Sequence, residues 1–276
     1  MKLPLTTLNY LKCGKGEPLI IVPATISEID NWLDLIQYFG QRFTVIFFEL
    51  PGHGKSTPFN KKFSSDSVAL TVKHLIDNLG YEKINLMGFS FGGILTLKTL
   101  NLLRNRIKKV VLFAPCVTHR ALTHNKFNLF IMHALAKIMQ TDTSQKILLS
   151  IMHNRKTVDL FMWFLKTVGH VEIIGGLKEK LLRLKPSTLD VLVYQINEIL
   201  STEFNYRKFN QKVFFGMSTL DPLLSFKITK KKLQQMFRNI DIQEFDFPYH
   251  QPKNPFTFDE LNRDFGNFVH RIADAK

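Results

Sequence analysis

Apolar positions along the first third of the chain follow two alternating periods. Leu19-Ile20-Ile21-Val22 and Phe43 to Leu50 are almost unbroken apolar runs, as expected of strands covered on both faces of a parallel sheet. Glu28 to Phe39 instead spaces Ile29, Trp32, Leu33, Leu35 and Ile36 helically and stops at Gly40. Ser67 to Leu79 predicts a second amphipathic helix, closed by Gly80. The alternation continues with a strand over Lys83 to Met87, a helix over Gly92 to Leu103 and a strand over Lys109 to Phe113. Upstream, Leu5 to Leu11 predicts a short strand closed by the turn Gly14-Lys15-Gly16-Glu17-Pro18.

The rhythm changes after Val117. Lys126 to Met139, Ser144 to His153, Val158 to Val168 and Thr188 to Leu200 carry helical stripes, and no strand pattern interrupts them. Alternation resumes with Lys212 to Phe215 (strand), Phe226 to Phe237 (helix), Asp241 to Phe247 (strand) and Thr257 to Ala273 (helix). Strands alternating with helices through short connections imply right-handed crossovers and a mainly parallel sheet. The organisation predicted is an α/β core from 1–117 and 205–276, interrupted by a helical insertion over 118–204.

Composition adds little that contradicts this. Apolar residues make up 45 % of the chain, enough for a substantial core. Lys and Arg number 37 against 23 Asp and Glu, a formal charge of +14. The basic residues are spread along the chain, densest at Lys230-Lys231-Lys232 and at Arg104, Arg106, Lys108, Lys109. No nucleic-acid-binding signature accompanies them, so a lysine-rich solvated surface is expected and no nucleic-acid partner. Cys13 and Cys116 alone do not suggest a disulfide framework or a zinc site. No apolar h-region opens the chain, and no run approaches the roughly 20 apolar residues that span a bilayer. The expectation is a cytoplasmic protein without transmembrane segment, metal or cofactor; its oligomeric state is not encoded legibly.

The chemistry concentrates at Gly88-Phe89-Ser90-Phe91-Gly92. A strand before Gly88 and a helix after Gly92 are the setting of a nucleophile elbow, whose sharp turn tolerates only small residues two places either side of the serine. A serine hydroxyl needs a base oriented by a carboxylate, and on such a sheet these follow in the order acid, then histidine. Asp221 follows the strand ending near Gly216, and His250 follows the strand ending near Phe247. Both therefore lie just beyond strand ends, where open α/β sheets place their ligands.

The other acids and histidines fit less well. Asp246 is expected within the last strand, Asp142 and Asp190 in the insertion, and His270 on the terminal helix. His119 and His124 open the insertion, and His53 sits in the loop Pro51-Gly52-His53-Gly54. An oxyanion would be held by the amide of Phe91 and one from Pro23-Ala24-Thr25-Ile26. Pro23 has no N–H; Ala24 or Thr25 could serve, with Thr25 preferred by position.

Leu19 to Trp32, Glu49-Leu50-Pro51-Gly52-His53-Gly54-Lys55-Ser56, Gly88 to Gly93, Asp221 and His250 together resemble the α/β-hydrolase superfamily, in its capped branch of esterases, lipases, lactonases and peptidases. The resemblance implies an eight-stranded sheet, with the insertion after the sixth strand acting as a lid. Pro23-Ala24 replaces the usual His-Gly pair, and Glu49 the usual Asp. Branches with an aspartate nucleophile are disfavoured by Ser90.

The insertion is rich in Phe and Met, which predicts an apolar acyl site lined by Phe127, Phe130, Met162 and Trp163. The expected activity is hydrolysis of carboxylic esters with an apolar acyl group. Lactonase, C–C hydrolase and aminopeptidase readings share the triad, the last with Glu172 or Glu198 as amine ligand. A non-enzymatic binding protein on this fold is the remaining alternative.

Overall fold

The computed structural model describes residues 1–25, 28–167, 177–205, 208–250 and 257–275. Its strands are β1 (Tyr10–Cys13), β2 (Glu17–Val22), β3 (Phe43–Phe48), β4 (Ile84–Phe89), β5 (Ile107–Phe113), β6 (Phe209–Ser218) and β7 (Phe237–Phe245). The helices of the alternating segments are α1 (Leu33–Gly40), α2 (Ser65–Asn78) and α3 (Phe91–Leu102). Between β5 and β6 come α4 (Lys126–Ile138), α5 (Asp142–Met152), α6 (Arg155–Thr167), α7 (Leu177–Leu182) and α8 (Pro186–Ser201), followed later by α9 (Phe226–Met236) and α10 (Phe258–Asp274).

The strands form one sheet in the order β1-β3-β2-β4-β5-β6-β7. β1 runs antiparallel to β3, and the remaining pairings are parallel. From β2 the chain crosses to β3 on one side and then returns to β4 on the other. The carboxyl ends of β2 and β4 thus flank a topological switch point, where the crossovers diverge and leave a crevice.

Seven strands are present among the described residues, where eight were expected. The strand expected over Leu5 to Leu11 begins only at Tyr10, and the chain before it forms a turn: Leu3 N–H donates to the Thr6 carbonyl (2.8 Å), and Lys2 and Thr7 form an isolated bridge. Pro4 has no N–H to give a ladder, and regular pairing with β3 begins only at Tyr10. The helical stretch consequently follows the fifth strand and not the sixth. At the other edge, β7 starts directly at the end of α9 and stops at Phe245, so the expected span of Asp241 to Phe247 lay too late. Asp246 is exposed beyond the strand end rather than within it.

The chain makes two compact units, Met1–Asn125 with Glu198–Lys276, and Lys126–Asn197. In the first, α1 and α10 share one apolar layer against the sheet, built from Trp32, Ile36, Phe39, Phe268 and Ile272 over Ile21, Phe47 and Met87. Residues at both ends of the intervening stretch belong to this unit and are held side by side. Thr118 bridges Glu203, His119 N–H donates to the Thr202 carbonyl (2.7 Å), and Leu122 bridges Leu224. The second unit has a small core of Leu149, Leu189 and Val193. Along α4 an apolar stripe of Phe127, Phe130, Ile131, Leu135 and Ile138 is exposed. No described helix is long and apolar enough to cross a membrane.

Candidate active site

Ser90 stands between β4 and α3 with φ 52° and ψ −119°. A non-glycine residue adopts such backbone only when its surroundings enforce it, at a cost of roughly 1–3 kcal/mol. Here the enforcing contacts are backbone hydrogen bonds. Ser90 N–H donates to the Phe113 carbonyl (3.1 Å), while the Ser90 carbonyl accepts from Gly93 and Cys116 (both 2.9 Å). A side chain on Gly88 would collide with Thr96 Oγ1, and one on Gly92 would stand 2.6 Å from the Val22 carbonyl. The small residues at both positions are therefore a packing requirement of the turn.

Asp221 and His250 reach Ser90 from the ends of β6 and β7. His250 Nε2 is 2.9 Å from Ser90 Oγ, and His250 Nδ1 is 2.7 Å from Asp221 Oδ2. The other carboxylate oxygen, Asp221 Oδ1, accepts from the amides of Leu223 (2.8 Å) and Leu224 (2.9 Å). Only 1 % of the Asp221 side chain is exposed, so solvent does not compete for it.

Ser218 ties the two loops together, donating to the Phe247 carbonyl (2.5 Å) and accepting from the Leu220 amide (3.0 Å). The His250 ring lies 5.3 Å from that of Phe89. Such a relay fixes the imidazole tautomer, lets Nε2 take the serine proton, and stabilises the imidazolium that results.

A family model for the alpha/beta hydrolase fold matches residues 17–150, a span that includes the elbow. The chain has the α/β-hydrolase fold. A hydrolase of (E)-2-((N-methylformamido)methylene)succinate from Acinetobacter baylyi is 30 % identical over 90 residues, which are 33 % of this chain and 34 % of that protein. A soluble epoxide hydrolase from a Corynebacterium species is 30 % identical over 86 residues, 31 % of this chain and 30 % of that one. These alignments thus span about a third of each curated relative's length. The meta-cleavage product hydrolase from Pseudomonas fluorescens IP01 superposes with a TM-score of 0.60 at 16 % identity, covering 98 % of this chain and 93 % of that one.

The surroundings of Ser90 in this α/β-hydrolase fold distinguish groups that can react from groups that cannot. Burial pushes the Cys116 thiol up to about 12; a hydrogen bond with Ser90 works against this, and the Asp221 carboxylate adds to it. A thiol so protonated is no nucleophile. His53 is buried and keeps no hydrogen-bond partner on either ring nitrogen among the described residues. Its amide donates to the Leu50 carbonyl (2.8 Å), and its carbonyl accepts from Ser56 (3.0 Å). His270 is exposed and meets Arg42, and His119 Nδ1 is 3.0 Å from the Thr202 carbonyl.

For an oxyanion, the Phe91 amide opens α3, where the helix end presents partial positive charge. Thr25 lies three residues past β2 and is exposed, whereas Ala24 is buried. The helical-unit residues behave less uniformly than the sequence suggested. Phe127 and Phe130 are each 70 % exposed and Trp163 59 %, while Met162 is partly buried. Glu172 lies outside the described residues.

What the sequence reading missed is an apolar cavity of about 80 Å³ inside the first unit. His250, Asp221, Pro23 and Ala24 stand on its wall, which otherwise comes from the sheet, α1, α10 and the β7 loop. Phe89, directly before Ser90, also lines it. Most of the remaining wall positions are apolar and indistinguishable in sequence from ordinary core.

Proposed function

We propose that this chain is a serine hydrolase acting on carboxylic esters with an apolar acyl group. The observation that carries the reading is the continuous relay from Asp221 through His250 to Ser90, set at the switch point of the sheet. Ser90 Oγ attacks the ester carbonyl as His250 Nε2 takes its proton, and the same proton then passes to the departing alkoxide. Asp221 holds the imidazole and offsets its charge. The Phe91 amide and an amide of the loop after β2, at Thr25, receive the oxyanion. Water activated by His250 attacks the acyl-enzyme in the second half of the cycle and returns Ser90 to its free state.

Lactone and C–C bond substrates use the same three residues. A peptidase reading is less well supported. It needs a carboxylate free to bind an amine, and Glu198 is engaged by Ser65 and by Lys98 (3.4 Å). Burial raises the Glu198 carboxyl above its ordinary range, against the pull of Ser65 and Lys98, which further weakens it as an amine ligand.

The test is turnover of p-nitrophenyl esters together with labelling of Ser90 by a fluorophosphonate. Wild type is expected to hydrolyse the esters and to be labelled, and Ser90→Ala to stay folded and do neither. A wild-type protein that is neither labelled nor active would point to a binding role on this fold.

A further inference from the structure

We infer that the acyl group of the substrate enters the cavity between the sheet and helices α1 and α10, and that this cavity selects short chains, from acetyl to butyryl. The inference rests on the serine hydrolase reading and deepens it. It relocates the acyl site from the helical unit, where the apolar sequence pattern had pointed, to the sheet unit.

Three observations carry it. The first is position: the cavity wall includes His250 and Asp221, the partners of Ser90, and Pro23-Ala24 of the loop after β2. Phe89, directly before Ser90, also stands on the wall. A carbonyl carbon bonded to Ser90, with its oxygen toward the Phe91 amide, therefore has this space beside it. The second is chemistry. Apart from the triad members Asp221 and His250, the described wall bears no charged side chain, so a neutral hydrocarbon group is what it accepts.

The third is size. An apolar cavity near 150 Å³ takes up a benzene ring; at about 80 Å³ this one holds about half as much. That is room for an unbranched chain of about three or four carbons, and too little for a ring or a fatty acyl tail.

The cavity is also built to stay open. Trp32 stacks on Phe47 at 6.3 Å and meets Phe89 at 6.2 Å, and Phe113 meets Phe265 edge-on at 5.7 Å. Stiff rings braced on one another cannot fold into the gap as aliphatic side chains would. Gly216, on the same wall, contributes no side chain, and a Cβ there would come within 3.0–3.2 Å of Phe245, Phe268 and Phe113. Unfilled apolar volume destabilises a core, so its retention beside the relay calls for an occupant.

The experiment measures kcat/KM on p-nitrophenyl acetate, butyrate, hexanoate and octanoate for wild type, Phe265→Ala and Leu35→Phe. Near-ultraviolet circular dichroism checks the folding of each variant. Wild type is expected to peak at acetate or butyrate and to fall by about 10-fold or more by octanoate. Phe265→Ala, by lengthening the cavity, should raise the octanoate-to-acetate ratio about 10-fold. Leu35→Phe, by narrowing it, should lower the butyrate-to-acetate ratio and remains informative if the first variant does not fold.

A wild-type maximum at octanoate, or folded variants that keep the wild-type ratios, overturns the inference. Fluorophosphonate labelling of the same samples separates the two readings. Labelled, active enzyme with unmoved ratios sinks the cavity alone, whereas unlabelled, inactive wild type sinks the hydrolase reading beneath it.

Discussion

The carboxylate of Glu49 fills the space that a side chain on Gly54 would occupy. Gly54 has φ +52°, and Glu49 accepts from Asn9 Nδ2 (2.9 Å), the Ile29 amide (3.3 Å) and the Lys55 amide (2.7 Å). One buried carboxylate thereby ties the start of the chain, the segment before α1 and the Pro51-to-Gly54 loop. Glu49→Ala strands several donors, each worth about 1–3 kcal/mol when left unpaired. Chemical denaturation should show a loss of about 3 kcal/mol or more. Glu49→Gln, which keeps the shape and one acceptor oxygen, should lose less, and equal losses would show that the charge or the second acceptor oxygen, not the volume, carries the effect.

Asp221 should govern kcat more than substrate binding. In Asp221→Asn the side-chain NH2 must face either His250 Nδ1 or the paired amides of Leu223 and Leu224, all of which suit an acceptor. The wrong imidazole tautomer follows, with kcat lower by about 10⁴, the drop known for the equivalent change in a serine protease. Steady-state kinetics with an activated ester reads this directly. An unchanged kcat would remove Asp221 from the relay.

Gly92→Ala is expected to damage catalysis more than its size suggests. The new methyl would meet the Val22 carbonyl at 2.6 Å and the Pro23 carbonyl at 3.0 Å. Relief requires the loop after β2 to move away from the elbow, and that loop carries the second oxyanion amide in our proposal. Loss of one such donor lowers kcat about 10²–10³-fold. A folded Gly92→Ala protein with wild-type kcat would place the second donor elsewhere.

His53 should make stability fall in mild acid. Burial lowers its pKa from 6.5 to about 4, only partly offset by the nearby Glu49 carboxylate. Between those values the unfolded chain binds a proton that the folded chain refuses, so stability drops as pH falls through that window and is complete above it. The contribution is about 3 kcal/mol at most. Denaturation midpoints measured from pH 7 to pH 4 should show the slope, and His53→Gln should flatten it. An identical slope in the variant would assign the acid sensitivity to other groups.

How much of this could be read from sequence varies with how local each feature is. The elbow at Ser90 was legible because a strand, two glycines and a helix stand within one short stretch. Asp221 and His250 were legible because each follows a strand, and strand ends of a parallel sheet converge on one edge. The strand expected over Leu5 to Leu11 pairs regularly only from Tyr10, because a turn over Leu3-Pro4-Leu5-Thr6 outcompetes pairing, and the eighth strand implied by the resemblance is not found among the described residues. For Phe127, Phe130, Met162 and Trp163 the apolar content of the sequence shows that a surface exists, but not what it faces.

By itself, then, the chain determined its alternation of strands and helices, the serine of its elbow and the order of the acid and histidine that follow it, since these depend on neighbours in sequence. Only the tertiary structure decided that His250 Nε2 stands 2.9 Å from Ser90 Oγ. It alone decided, too, that residues from Ile21 to Phe265 line a cavity beside the relay. A void is defined by side chains that fail to touch, and residues so far apart in sequence carry no local pattern for a gap between them.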